Sequence, residues 1–327
     1  MEKIKFIVQD FESQLPELLQ KKVTQIYISD KNLDKKKIIQ IINLVANKAP
    51  ELFVSFSVNA STVDKELAAS ATQIFCSFDI SLDCEEKGGR LLFDKKFYSS
   101  KARLLNDFGL VFGFDLFFSV QSGDSLKLFF DRLDFAVQQY PNHINFLQTE
   151  QTYDEYEPKV TGFFSAKDLR YARDVAFACR TFYSEGRAVP WFLSVLKPLR
   201  IYPSKFFADM AEWQRCNNCD FKSGFVPEKE NHQSLEKMQL LFLEEKYEEK
   251  NRHNLIPIVK DIVKLNGAMS RLTGENIEST VHTSYNPDDL FSEEALDIES
   301  FAENVCMEEC NVKIFASEDG PDYSIEN

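Results

Sequence analysis

Between Thr24 and Glu150 the chain alternates two kinds of pattern. In one, oily and polar residues take turns. Leu52, Val54, Phe56 and Val58 share one side of a segment, while Phe53, Ser55, Ser57 and Asn59 share the other. Ile74, Cys76, Phe78 and Ile80 oppose Phe75, Ser77, Asp79 and Ser81 in the same way. Leu110, Phe112, Phe114, Leu116 and Phe118 oppose Val111, Gly113, Asp115, Phe117 and Ser119. Successive side chains of a strand point to opposite faces, so each segment predicts a strand with two environments. The second kind has helical spacing. Ile38, Ile39, Ile42 and Val45 form a stripe that starts after a capping Asp34 and stops at Pro50. Another helix ends at Gly109, and a further one runs from Asp124 or Ser125 to Tyr140. A last strand starts at His143.

Strands separated by one helix each predict parallel pairing with right-handed crossovers. The helices cover the oily face, and the polar face then looks into a barrel lumen. After Glu150 a polar stretch, EQTYDEYEPK, gives way to helical patterns near 166–184, 190–196, 204–214, 232–249 and 254–272. The predicted fold class is therefore α/β. A partial TIM-like parallel barrel of five or six strand–helix units occupies residues 1–150, an all-helical domain 151–285, and an acidic, flexible tail 286–327.

Composition changes this picture little. The 327 residues include 44% hydrophobic and 28% charged positions, an ordinary globular profile with an unusual 30 Phe. Net charge is −14, and from Pro287 onward thirteen acidic residues face one Lys, so −12 of it belongs to the last segment. No basic stripe is present to neutralise phosphates, which argues against nucleic acid as a partner. The greasy run Leu110–Val120 is broken by Asp115 and is too short to span a bilayer, and the first twelve residues do not read as a signal peptide. Seven scattered Cys suit a reducing cytoplasm better than a disulfide framework.

Several stretches resemble the radical S-adenosylmethionine (radical SAM) barrel family, in the branch that carries a cobalamin domain in front and a helical domain behind. They are VTQIYISDKNLDKKK from Val23, the strand with SLD behind it from Ile74, LLFDKKFYSSKARLLNDFGLVFGFDLFF, SVQSGDSLKLFFDRLDFAVQQYPNHINFLQTE, and the helical part from Phe163 to Asn304. The resemblance implies a barrel whose lumen holds the chemistry, with S-adenosylmethionine and a [4Fe–4S] cluster as cofactors. The family's defining C-x3-C-x2-C triplet, whose thiolates hold three irons of that cluster, does not occur in this sequence. Placed on the family pattern, the chain starts just after the point where the cluster loop would end. The first strand is missing unless Ile4–Val8 stands in for it, and the glycine-proline turn after the fifth strand is replaced by SVQSG, with Ser119 and Gln121 in its key positions.

Other chemistry is sparse. Cys216 and Cys219 form CNNC, and Cys306 and Cys310 form a C-x3-C pair; four thiolates could make a tetrahedral zinc site, against a reading of incidental thiols. The four His are scattered, and His143 reads as a satisfied structural residue. The lumen candidates for ligand binding are Asp30, Asn59, Asp79, Asp83, Asp115, Ser119, Gln121 and Glu150, at or near strand C-terminal ends where loops build barrel sites. The competing reading of these is a polar-lined remnant without chemistry. Asp124 reads as a helix cap.

The expectation is a degenerate, non-catalytic radical-SAM-like protein with no cofactor of its own, acting as a binding or regulatory partner. Two alternatives stand beside it. One is half of a split enzyme whose cluster and cobalamin parts sit on another chain, with S-adenosylmethionine bound through that partner. The other is a small-molecule-binding module using the lumen acids. An open barrel leaves strand edges unpaired, so a protein partner or homo-oligomer is expected, without membrane or nucleic acid.

Overall fold

The computed structural model describes residues 4–6, 11–28, 33–119, 122–146, 159–318 and 320–326. The chain divides into two compact units, Met1–Ala172 and Arg173–Asn327, rather than at the predicted boundaries 150 and 285.

The first unit is built from strand–helix repeats. Its order is β1 (Ile4–Phe6), α1 (Phe11–Gln20), β2 (Gln25–Ile28), α2 (Lys35–Lys48), β3 (Phe53–Val58), α3 (Lys65–Ala71), β4 (Cys76–Ser81), β5 (Glu85–Lys87), β6 (Arg90–Leu92), α4 (Lys95–Asp107), β7 (Val111–Asp115), α5 (Leu126–Val137) and β8 (His143–Asn145). Four of the helices start on a side-chain cap. Asp34, Asp64, Asp94 and Ser125 accept from the backbone N–H of Lys37, Leu67, Phe97 and Leu128. Each thereby satisfies one of the N–H groups that a helix start leaves without an internal partner. For α3 the cap is Asp64, and Asn59 instead caps the short 3-10 turn Ala60–Thr62 ahead of it.

Six strands form one sheet in the order β1-β2-β3-β4-β7-β8, every neighbour parallel. The sheet therefore grows in one direction along the chain. Right-handed crossovers in such a sheet deliver every helix to the same face. Burial agrees: Ile26, Ile28, Val54, Phe56, Phe78, Ile80, Phe112 and Phe114 are sealed on that face. Facing them are Ile38, Ile42 and Val45 of α2, Leu67 of α3, Leu105 of α4 and Phe129 and Leu133 of α5. Phe56 and Phe78 stack with centroids 5.7 Å apart, and Phe114 lies 6.4 Å from Phe135. Each such buried Phe contributes roughly 1.5–3 kcal/mol of apolar burial. Among the described residues β1 and β8 pair on one side only, and the six-stranded parallel sheet is consistent with a partial barrel. The segment Glu85–Leu92, which holds Gly88 and Gly89, is an antiparallel hairpin of β5 and β6. Both glycines have positive φ, the conformation such a turn demands.

The second unit begins inside α6 (Ala166–Cys179), which runs into a π-helical turn at Arg180–Glu185. Then come α7 (Phe192–Leu196), α8 (Pro203–Cys216), α9 (His232–Glu249), α10 (Ile256–Glu275), β9 (Ser279–Thr283), α11 (Pro287–Leu290), α12 (Ile298–Asn304), β10 (Cys310–Ser317) and β11 (Gly320–Glu326). Its core is aromatic: Phe182 meets Phe192, Phe206 and Phe242, and Phe206 meets Phe192 and Phe242, all edge to face with centroids 4.9–6.1 Å apart. Gln239 donates to the carbonyls of Phe182 (2.8 Å) and Gly186 (2.9 Å), which meets the hydrogen-bonding demand of the π turn.

Two expectations are corrected here. The unit is not all-helical, and residues 286–327 are not a flexible tail. β9, β10 and β11 form an antiparallel sheet, with Val312 and Ile314 of β10 buried. In β10 Cys310, Val312 and Ile314 are buried in alternation with exposed Asn311 and Lys313, and in β11 Tyr323 and Ile325 lie between polar neighbours. Charge density concealed a period of two.

Candidate functional site on the polar sheet face

Strand register lays the polar face out in rows. Ser57, Asp79, Gly113 and His143 lie side by side across β3, β4, β7 and β8. The next row toward the strand C-terminal ends is Ser81, Asp115 and Asn145. The row before is Tyr27, Ser55, Ser77 and Val111. Ser77 Oγ donates to Ser55 Oγ at 3.0 Å.

The middle rows hold the chemistry. His143 Nε2 is 2.5 Å from Asp79 Oδ1. Asn145 Nδ2 donates to Asp115 Oδ1 at 2.9 Å. Asp79 and Asp115 are buried, only 5% and 6% exposed, while His143 is half-buried. The two carboxylates thus differ in their partners: one faces an imidazole, the other a neutral amide. Burial, then the charge of Asp79, pushes the Asp115 carboxyl up to about 7, with Asp83 adding in the same direction and Asn145 and His143 opposing. A carboxyl of that kind carries its proton into the neutral range and can donate it.

Gly113 makes the row possible. A Cβ placed there would lie 2.2 Å from His143 Nε2 and 2.4 Å from Cδ2, so the imidazole fills the space a side chain would take. The loops above the rows are tied down. Arg132 donates through Nη1 to the Leu82 carbonyl (3.0 Å) and through Nη2 to both Asp124 oxygens (3.2 and 3.1 Å). Asp124 Oδ2 accepts the Ser119 N–H at 2.7 Å, and Ser119 sits at φ 58°. This buried pair joins the segment after β4 to the turn after β7. Asp124 is therefore chiefly the partner of Arg132, and Ser125 is the cap of α5. Tyr98 adds a second tie: its hydroxyl accepts the Asp83 N–H at 2.9 Å and donates to the Asp83 carbonyl at 3.1 Å.

Of the sequence candidates, Asp79 and Asp115 come together, with Asp83 beside them accepting from Ser81 Oγ at 2.8 Å. Asn59 serves its own turn, accepting from Ser61 N–H. Ser119 belongs to the loop tie, and its hydroxyl donates to the Lys159 carbonyl. Asp30, Gln121 and Glu150 lie outside the described residues. His143, Gly113 and Asn145 were not singled out, His143 being read as structural. Their signal was available: His143 and Asn145 alternate with buried Ile144 and Phe146, the period that marked the other strands.

The cysteines do not fit a [4Fe–4S] cluster. Residues 1–172 contain only Cys76 and Cys84, both buried, and burial raises both thiols, Cys76 to about 12. Cluster ligation needs three deprotonated thiolates together. Cys219 Sγ and Cys310 Sγ each donate to a nearby backbone carbonyl, and no group of three or more metal-binding side chains forms among the described residues. Cys216 ends α8, and Asn218 turns the chain at φ 53° so that Cys219 N–H returns to the Gln214 carbonyl at 3.0 Å. A helix C-terminus does not favour a thiolate, so CNNC lacks the setting of a redox pair. No described helix is long and apolar enough to cross a membrane.

No protein-family model matches the sequence, and none of the curated proteins does. Two solved structures of the radical S-adenosylmethionine methyltransferase TsrM from Kitasatospora setae are weakly similar. The one with cobalamin and a [4Fe–4S] cluster is 12% identical, with a TM-score of 0.33 over 41% of this chain. The one with tryptophan and a SAM analogue is 13% identical, with a TM-score of 0.34 over 41% of this chain. The matched part spans 27% and 29% of those chains, and likeness at this level carries no argument about cofactors or activity.

Proposed function

We propose that this chain is a non-catalytic binding protein built on a partial radical-SAM-like barrel, holding a small molecule against the polar face of its parallel sheet. The observation that carries the reading is the pairing of two buried carboxylates, Asp79 and Asp115, with His143 and Asn145 in adjoining rows. Burying charged groups costs stability, so a buried titratable cluster at strand C-terminal ends is a mark of a ligand site. The absence of a fitting thiol set in residues 1–172 supports a role without cluster chemistry. Among the described residues the outer edges of β1 and β8 carry no further strand, which supports a partner or a second copy as the complement of the sheet.

Thermal unfolding of the full chain with S-adenosylmethionine, adenosine and a panel of small metabolites tests the reading. A ligand specific for the folded state raises the midpoint by mass action. The reading expects at least one such rise that D79N and D115N each abolish. Shifts indifferent to both variants, or no shift across the panel, would contradict it.

A further inference from the structure

A cleft of about 560 Å³ opens between α4 and the end of α5, in the helix layer of the first unit rather than on the polar sheet face. Its volume falls in the range of roughly 300–1,000 Å³ typical of small-molecule sites. One wall is α4, where Ser99, Arg103 and Asn106 recur at helical spacing and share a face. The other wall holds Gln138, Gln139 and Tyr140. The walls are joined. Ser99 Oγ donates to Gln139 Oε1 at 2.7 Å, and Asn106 Nδ2 donates to the Gln139 carbonyl at 3.3 Å. These bonds orient the amides without exhausting them. Gln139 Nε2, Asn106 Oδ1 and both ends of the Gln138 amide have no protein partner among the described residues. Donors and acceptors therefore stand open side by side. Charge is scarce: the one formal charge in the lining is Arg103, whose Nε lies 3.8 Å from Asp107 Oδ2. Among the described residues no aliphatic side chain lines the cleft. An ion would gain little there, and a hydrocarbon would leave the amides unpaired.

Tyr140 supplies the flat apolar surface. It sits at φ 56°, a left-handed conformation that glycine adopts freely and a bulky side chain does not. At the end of α4 the same turn is made by Gly109, at φ 64°. The ring of Tyr140 is 50% exposed, so no core packing offsets its strain. A strained backbone that holds an aromatic ring beside open hydrogen-bonding groups points to use of that ring. We propose that this cleft is a second binding site, separate from the polar sheet face, and that it takes a neutral mono- or disaccharide. Sugar hydroxyls donate and accept at once, which matches amides open in both senses. The C–H face of a pyranose lies flat on the electron-rich face of Tyr140. Gln138 and Gln139 then meet the hydroxyls at the ring's edge from one wall, and Asn106 and Ser99 from the other. Binding makes and breaks no covalent bond.

The test is titration of the full chain with maltose, cellobiose and chitobiose, followed through the side-chain amide NMR signals, with glycerol as the control for unspecific polyol effects. At least one saccharide should bind saturably, shift the Asn106, Gln138 and Gln139 amides, and bind as well at high salt as at low, since no ion pair forms. Glycerol should shift none of them saturably. Y140G separates binding from folding. Glycine suits the backbone at that position, so the fold is kept or strengthened while the stacking face is lost. It should weaken binding about tenfold or more, whereas Y140F, which keeps the ring, should bind close to the parent. Q139A should also weaken binding, with far-UV circular dichroism checking its fold. Failure of all three saccharides to saturate, or undiminished binding by Y140G, would overturn the proposal. Saccharide binding that D79N abolishes and Y140G leaves intact would place the sugar on the polar face, ending this inference and leaving the binding role standing.

Discussion

The imidazole of His143 occupies the volume that a β-carbon on Gly113 would need, at 2.2 Å from where that carbon would sit. The glycine is thus a precondition of the Asp79–His143 pair. G113A should push the ring off Asp79 and destabilise the protein by about 1–3 kcal/mol, as overpacking does. In H143A the space is free, so adding G113A to it should cost far less. A double-mutant cycle by urea unfolding reads this coupling. Additive effects would mean that the ring moves aside without loss.

Asp115 makes stability depend on pH in a definite direction. Its folded value, about 7, lies above that of an unfolded Asp. Its contribution is therefore fully present below about pH 4 and falls away as pH rises toward 7. D115N removes the ionisation, so the variant should gain on the parent across that window, by on the order of 2 kcal/mol at pH 8. Paired denaturation curves from pH 4 to 8 check the sign. A variant less stable than the parent at pH 8 would contradict it.

In the second unit, Arg271 Nη1 donates to Glu236 Oε2 at 2.6 Å and lies 3.1 Å from His232 Nδ1. Gly267 on α10 leaves room for this, since a Cβ there would fall 1.9 Å from Glu236 Oε2. Replacing Gly by Ala within a helix ordinarily stabilises it by about 1 kcal/mol. G267A is expected to do the opposite, because the displaced carboxylate is held by a buried Arg. Chemical denaturation decides, and a more stable G267A would show that Glu236 swings away freely.

His232 gives the same network an acid limit. Burial, then Arg187, lowers its imidazole to about 4, below an unfolded His. Its contribution is present above about pH 6.5 and is lost as pH falls toward 4. H232Q should flatten that part of the stability profile relative to the parent. Parallel profiles for the two proteins would refute the assignment.

Thiol chemistry separates this account from a metal-bearing one. Cys216 and Cys306 are exposed, and the other five cysteines are buried. A thiol reagent should modify two groups quickly and the rest at the rate of unfolding. Anaerobic incubation with iron and sulfide should leave no stable four-iron cluster. A cluster that formed and cleaved S-adenosylmethionine would restore the enzymatic reading.

Much of the first unit was legible in the sequence because β3, β4 and β7 alternate over five or six residues, long enough for period two to stand out. Asp79 and Asp115 were visible as acids on the polar side of such strands. His143 and Asn145 were harder, because β8 spans only three residues, and a strand that short barely shows a period. The acidic end misled for a different reason. Its buried alternation, Val312 with Ile314, is short and flanked by Glu308, Glu309 and Glu318, and nothing local reveals that β9 pairs with it from some thirty residues upstream. The role of Asp124 was also hidden, since Arg132 reaches it from eight residues on, on the far side of the α5 start.

The most direct measurement is a carbon-detected NMR titration of the aspartate carboxyls in the full chain, assigned with D79N and D115N. Asp115 is expected to titrate near neutrality and to shift when a ligand fills the polar face. An Asp115 that titrates near the ordinary value of about 4, unmoved by any ligand, would contradict it.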